Sequence, residues 1–311
     1  MADRFGGSID KWMYGFKYFV RHVHPRIYPN IVGLENVSTY VRNFPSYASS
    51  IENTIKTDRT RYNNNNGAAI VYPGIEFDPG SFTIVGFFDC RNQRTLIPGS
   101  GPAGDFDGAP RNEGADIIQQ AVYSGYKHIH GVKNLTVQLS NGLSFLFTPL
   151  SARRNGIDTL QASGLERVME QIQAQEFDVI NDGRVNRGPR FSLLGDGIFR
   201  FVAANGNSCI ESYHITPPGD ELPQRQVAEN HIFKSIRQHI EHTYGGLETT
   251  FALFADRKNF KLRGLNSIAI ECLNLSHFLY NCYTADNGNS SSNRFGCLPP
   301  TLDEYLNIHH Q

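Results

Sequence analysis

The order of helical and strand-like segments predicts a mixed α/β domain. Apolar residues recur at three- and four-residue steps over residues 9–56, as in amphipathic helices. Residues 81–90 and 132–150 instead hold dense runs of β-branched and aromatic residues, and Asn141–Gly142 between two apolar runs is a strong hairpin signal. Helical periodicity returns over residues 226–244 and 265–283. This order of segments argues against an all-helical or an all-β fold.

The elements follow one another in three predicted segments. Residues 1–66 form an N-terminal helical segment, in which Pro25 ends the first helix and the tract Asn63–Asn66 marks a linker. Residues 67–285 form the α/β domain, and residues 286–311 form a polar, flexible tail.

Within the α/β domain, AAIVYPG (68–74) and SFTIVGFFDC (81–90) are predicted strands, and residues 98–114 are a loop. The hairpin is followed by a helix over residues 156–173, by the basic loop NDGRVNRGPR (181–190), and by the apolar segment FSLLGD.

Composition limits the classes of function that the chain can have. Of its 311 residues, 40% are hydrophobic and 19% charged, and the formal net charge is −1, so binding to nucleic acid has to rest on local patches or on a partner. Five scattered cysteines without a C-x-x-C pair argue against a zinc ribbon or a disulfide framework and favour a reducing compartment. No apolar run reaches the roughly 18 residues of a membrane span.

Three carboxylates stand at positions that suit metal chemistry. Asp89 and Asp196 each end an apolar run, and ligands of open α/β sheets bind outside such strand ends. Glu241 lies at the edge of the apolar stripe of a helix, four residues after Arg237. The alternatives are aspartates that cap turns and a surface Arg–Glu pair. Three hard carboxylate ligands are what two Mg²⁺ or Mn²⁺ ions need for in-line displacement at phosphorus.

Four stretches together resemble the Harbinger-type (PIF/Harbinger) DDE transposases. VGFFDC is similar to the strand with the family's first aspartate, LLGDGIF to its second motif, and RQHIEHTYGGL to its glutamate helix. YSGYKHIHGVKNLTVQLSNG is similar to the hairpin of one subgroup. The resemblance implies an RNase H-like fold and metal-dependent cleavage and joining of DNA strands, with Asp89, Asp196 and Glu241 as catalytic residues and ligands of two Mg²⁺ or Mn²⁺ ions.

The chain departs from the family pattern in its details. Cys90–Arg91 follows the first aspartate in place of a small or polar pair, and Arg154–Asn155 stands where many relatives have His-Asp. The N-terminal helices begin almost at once, so the upstream DNA-reading segment of the family is expected to be missing or cut short. The resemblance then implies dependence on a separate Myb/SANT-like DNA-binding protein, with location in the nucleus through that partner and otherwise in the cytoplasm, and a homodimer is a further expectation.

Basic residues cluster locally and are interpreted as DNA contacts. They would neutralise phosphates and make the affinity depend on salt, and the alternative is a solvated surface of mixed charge. The candidates are Lys127, Lys133, Arg153, Arg154, Arg184, Arg187, Arg237 and Lys258.

Two other functions remain open at this point. A domesticated descendant that no longer cuts would serve as a chromatin or DNA-binding scaffold, and an incomplete relic would be inert. The spacing of His239 and His242 fits no metalloprotease motif, and no G-x-S-x-G element or phosphate-binding loop is present.

Overall fold

A five-strand path through a mixed sheet forms the centre of the molecule. The structure is a computed structural model that describes residues 9–65, 83–95, 121–182, 184–200, 209–217, 219–251, 254 and 268–307. The strands of the described regions are β1 (Ile84–Arg94), β2 (Tyr123–Ser124), β3 (Ile129–Leu139), β4 (Ser144–Leu146), β5 (Leu150–Ser151), β6 (Val179–Asn181), β7 (Arg184–Asn186), β8 (Ser192–Leu194) and β9 (Ile210–Glu211).

The order across the sheet is β2-β3-β1-β8-β9, and β4 and β5 also pair with β3. β3 runs antiparallel to β1, whereas β8 and β9 run parallel to it. This mixed sheet, flanked by helices, is consistent with the predicted RNase H-like fold. The carboxyl ends of β8 and β9 lie beside the middle of β1, because Leu194 at the end of β8 pairs with Phe87. The prediction that Asp89 ends its strand is wrong, since β1 continues for five residues beyond it to Arg94.

Eight α-helices surround the sheet in the described regions. They are α1 (Ile9–Ile27), α2 (Phe44–Asn65), α3 (Gly156–Ser163), α4 (Leu165–Phe177), α5 (Gln224–Thr250), α6 (Ala269–Asn287), α7 (Ser290–Phe295) and α8 (Leu302–Asn307). Short π- and 3₁₀-helical segments, Tyr28–Val32 and Leu34–Asn43, join α1 to α2. None of the helices in the described regions is long and apolar enough to cross a membrane.

One apolar core joins the N-terminal helices to the sheet. Phe44 and Ile51 of α2 belong to the same buried cluster as Phe87 of β1, Leu135 of β3 and Ile240 of α5. Residues 131–140 are buried without interruption, because helices cover both faces of the sheet at β3. The strand edge that carries the carboxylates is therefore built on a rigid central layer.

Several local predictions are confirmed, and a few differ in detail. The hairpin turn lies at Ser140–Leu143 with Gly142 at a φ of +87°, and α5 covers the predicted 226–244 helix and extends beyond it. The helix predicted over 156–173 is split in two at Gly164, whose φ is +63°. Within the predicted loop 181–190, Arg184–Asn186 pairs with Val179–Asn181 as a two-stranded hairpin. The predicted strand 68–74 and loop 98–114 lie outside the described residues.

Residues 286–307, the described part of the segment predicted to be a flexible tail, are folded in the structure. α6 continues to Asn287, and α7 and α8 follow it, with Tyr305 fully buried against the core. The Asn289 side chain caps α7 by accepting from the backbone N–H groups of Ser291 and Ser292, and it donates to the Gly142 carbonyl of the hairpin turn at 2.9 Å. The polar side chains of this segment form hydrogen bonds inside the fold. Composition alone therefore gives the wrong prediction of disorder here.

Candidate active site

Three neighbouring strands place polar side chains in a row at the carboxyl edge of the sheet. Phe87 of β1 pairs with Leu194 of β8, and Leu194 pairs with Glu211 of β9. The residues two positions later on the three chain segments are Asp89, Asp196 and Tyr213. Neighbouring strands lie about 4.8 Å apart, so this register brings the predicted aspartates close together.

The two glycines beside Asp196 lie where a larger side chain would approach its neighbours too closely. A Cβ on Gly195 would lie 2.3 Å from the ring of Phe88, and one on Gly197 would lie 3.1 Å from the side chain of Ile215. The Asp196 side chain is exposed, and its carboxylate accepts a hydrogen bond from the Gly197 N–H at 2.6 Å. Gly195 therefore lets the backbone approach buried rings, and Gly197 leaves room for the exposed Ile215 side chain, while the Asp196 carboxylate faces outward.

The guanidinium group of Arg237, on α5, lies among these side chains. Its Nε donates to the Tyr213 hydroxyl at 2.6 Å, and its Nη2 donates to Glu241 Oε1 at 2.8 Å. Its Nη1 lies 3.8 Å from Asp89 Oδ2. The Arg237 side chain is 13% exposed, against 25% for Asp89 and 55% for Glu241. An aspartate of β1 and a glutamate of α5 thus both contact one largely buried guanidinium group.

The pKa of the Asp89 carboxyl depends on the charges of its neighbours, and Asp196 is one of them. Burial raises the pKa of the Asp89 carboxyl, and the negative charges of Asp196 and Glu241 raise it further. Arg237 and the Cys90 N–H, which donates to Asp89 at 2.8 Å, lower this pKa. The charges of Asp196 and Glu241 therefore both act on Asp89, and the three carboxylates outnumber the one guanidinium that lies among them.

The donor set suits a hard divalent cation, although its present spacing is not that of a finished metal site. Within the described regions, no three His, Cys, Asp or Glu side chains stand close enough to hold an ion together. Carboxylate oxygens are the ligands that Mg²⁺ and Mn²⁺ prefer, and the surplus negative charge at Asp89 would favour a cation. The residues fit such an ion in their chemistry, and the guanidinium of Arg237 now lies between two of them.

The two residues that depart from the family pattern after Asp89 are directed elsewhere. The Cys90 thiol contacts the Gly156 carbonyl oxygen at 3.6 Å, and burial, with the Asp89 charge, raises the pKa of this thiol to about 12. Arg91 lies over the ring of Tyr244 and forms an ion pair with Glu248, one to two turns after Glu241 on α5. At neutral pH, neither Cys90 nor Arg91 adds a negatively charged metal ligand to Asp89 and Asp196.

Four of the predicted DNA-binding residues lie on the β2–β3 and β5–α3 side of the sheet. Lys127, Arg153 and Arg154 are exposed. Lys133 is only 8% exposed and donates to the Arg154 carbonyl, and burial lowers the pKa of its amine. The negative charge of Asp89 acts on this amine in the opposite direction and raises its pKa, although less than burial lowers it.

The other predicted DNA contacts do not join this group. Arg184 and Arg187 are exposed on the hairpin that precedes β8, whereas Asp196 follows β8, so they lie toward the opposite edge of the sheet. Arg237 is mostly buried in ion pairs and is poorly placed to contact a phosphate. Lys258 lies outside the described residues.

Tyr213 was not predicted from the sequence. Its strand, β9, has only two residues, too few for a period-two pattern to be recognised. The run Ile210-Glu-Ser-Tyr-His-Ile215, with its aromatic and β-branched residues, is the signal that could have indicated this strand end.

Comparison with known proteins identifies a family for more than half of the chain. A family model described as DDE superfamily endonuclease matches residues 109–281, more than half of the 311 residues. The matched range includes Asp196 and Glu241 and begins after Asp89. No curated protein and no solved structure matches the chain.

Proposed function

Because the chain belongs to the DDE superfamily endonucleases, we propose that it is a Harbinger-type transposase nuclease or a protein derived from one. In this proposal Asp89, Asp196 and Glu241 hold two Mg²⁺ or Mn²⁺ ions and support hydrolysis and transesterification of DNA phosphodiesters. The observation that supports the proposal is that Asp89 and Glu241 both contact the Arg237 guanidinium, while Asp196 follows β8, the strand that pairs with β1 beside Asp89.

The contributions of the three acids differ with their surroundings. Asp89 is held rigidly within the central strand, and Asp196 is fixed by its hydrogen bond to the Gly197 N–H. Glu241 lies on α5 and is the most exposed of the ion-paired acids in the described regions, so its carboxylate is accessible to an ion from solvent. Two bound divalent ions would activate the attacking water or 3′-hydroxyl and stabilise the leaving oxygen.

The exposed basic residues near the acidic edge support DNA as the substrate. Lys127, Arg153 and Arg154 would contact backbone phosphates, so their contribution would be independent of base sequence and would fall with salt. The net charge of −1 supports the further proposal of a Myb/SANT-like partner that reads the DNA sequence and brings the protein to the nucleus. Arg184 and Arg187 would meet the duplex beyond the active edge, in a bound dimer or a long substrate.

Nicking of supercoiled plasmid DNA in Mg²⁺ or Mn²⁺ tests the proposal. Asp196→Asn keeps the shape of the side chain and removes its charge, and it is expected to lower the nicking rate at least about a hundredfold, because ion binding and transition-state stabilisation are lost. Asp220→Asn is the matched control, since Asp220 is also an exposed aspartate in a loop. The control should nick like the wild type.

Equal nicking by Asp196→Asn and by the wild type would contradict the assignment. Absence of nicking by the wild type on any DNA, together with absence of divalent-ion binding, would instead support the catalytically inactive scaffold that the sequence left open.

A further inference from the structure

The three nitrogen atoms of one guanidinium contact three different groups at the active edge. Nε of Arg237 meets the Tyr213 hydroxyl, Nη2 meets Glu241, and Nη1 faces Asp89. Only 13% of this side chain is exposed, so water cannot replace these partners easily. Arg225, on the same helix, makes the same four-residue ion pair with Glu229 but is 74% exposed. Arg237 therefore differs from Arg225 in that its side chain is largely buried and contacts two acidic residues.

Tyr213 holds this guanidinium at the end away from the carboxylates. The hydroxyl takes the Nε–H, and the Tyr213 ring packs beside Gly197, next to Asp196. With Nε fixed, the two Nη groups are turned toward Glu241 and Asp89, because a guanidinium is planar and its donors have a fixed geometry. Loss of the hydroxyl would leave a buried N–H without its acceptor and would favour rotation of the side chain toward solvent.

Resting on the proposed nuclease function, we propose that Arg237, positioned by Tyr213, is the counter-ion of Asp89 and Glu241 and competes with divalent ions for their carboxylates. Asp89 and Glu241 would repel each other without a cation between them, and Arg237 supplies one positive charge. A divalent ion on the same oxygen atoms would lie within several ångströms of the guanidinium and would be repelled by it. Tyr213 is a positioning residue in this device, since it acts through Arg237.

If Arg237 is such a counter-ion, its removal should raise the affinity for metal and lower the stability of the metal-free protein. Arg237→Gln removes the competing charge, and the Kd for Mn²⁺, measured by calorimetric titration of the full chain, is expected to fall at least about tenfold. In EDTA the same variant is expected to lose roughly 5 °C in Tm, because the partly buried Asp89 is left beside Glu241 without a cation. Arg225→Gln is the matched control and should change neither value.

The role of Tyr213 is tested by a double-mutant cycle. Tyr213→Phe keeps the ring and is expected to lower the Kd for Mn²⁺ about threefold, a smaller change than for Arg237→Gln because the charge remains. In the Arg237→Gln background the same substitution should leave the Kd unchanged. Tyr213→Phe also tests the competition by itself if Arg237→Gln does not fold. A Tyr213 effect that persists without Arg237 would overturn the positioning role.

The outcomes separate this inference from the proposed function. If the wild type binds Mn²⁺ and Arg237→Gln binds it equally well or more weakly, the counter-ion role is overturned while the nuclease proposal stands. If the wild type binds no Mn²⁺ and does not nick DNA, the nuclease proposal fails and the competition fails with it. Tighter binding by Arg237→Gln, together with a lower Tm in EDTA, supports the inference.

Discussion

At the scale of single residues, the active edge depends on the absence of a side chain at Gly195. A Cβ there would lie 2.3 Å from the ring of Phe88 and 2.9 Å from the ring of Phe199, and both rings are fully buried. Such rings have no free space to move into, because protein interiors are close-packed. The position of Asp196, the next residue, is therefore tied to the packing beneath it.

Gly195→Ala is expected to lower the free energy of unfolding by roughly 1–3 kcal/mol, the usual effect of overpacking in a core. Urea unfolding measures it. Gly125→Ala is the matched control, since a Cβ on Gly125 would meet no atom within 4 Å. The control should stay within about 0.5 kcal/mol of the wild type. Equal stability of the two variants would contradict the steric role of Gly195.

The sequence predicts the catalytic candidates but not the side chains that surround them. Asp89, Asp196 and Glu241 are candidates on local patterns alone, because each aspartate follows an apolar run and Glu241 borders the apolar stripe of a helix. The burial of Arg237 and its hydrogen bond to Tyr213 depend on how α5 packs beside β1 and the segment that follows β9. That arrangement is set by contacts distant in the chain, which a local pattern does not contain.

At the scale of elements, a buried polar layer joins α6 to the hairpin strand β4. His277 shares a hydrogen bond with the Ser144 hydroxyl at 3.1 Å, and the Asn281 side chain bonds both the N–H and the carbonyl of Ser144. Burial lowers the pKa of His277 to about 3, and the charge of Arg91 lowers it further. The imidazole is thus held neutral in the folded protein.

This pKa predicts acid sensitivity with a defined sign. Between about pH 6.5 and 3 the unfolded chain binds a proton at His277 that the folded protein does not, so the free energy of unfolding falls as the pH falls. The contribution is up to about 1.4 kcal/mol per pH unit. His277→Gln removes it, so urea unfolding across this range should show a shallower decline for the variant. Superimposable pH profiles would show that His277 does not titrate in this way.

Elements with strong local signals were predicted well, and those held by distant partners were not. The hairpin around Asn141–Gly142 follows from turn chemistry alone. α7 and α8 do not, because Ser291 and Tyr305 are buried by contacts with β3 and α6. A polar segment of this kind has the composition of a loose tail until its hydrogen-bond partners are known.

At the scale of the whole molecule, charge is distributed locally although the chain is nearly neutral. The surplus negative charge lies at one edge of the sheet, and exposed basic residues, including Arg153 and Arg154, lie on the side next to it. This distribution suits a nuclease that draws cations to its acids and DNA phosphates to their surroundings. The apolar core shared by α2, β1 and α5 fixes that edge as one unit.

Anomalous diffraction from a crystal grown with Mn²⁺ tests the central claim most directly. The account predicts Mn²⁺ peaks in contact with the carboxylates of Asp89, Asp196 and Glu241, with the Arg237 side chain displaced from between Asp89 and Glu241. Saturating Mn²⁺ that leaves these three side chains without a peak, and Arg237 still paired with the acids, would contradict it.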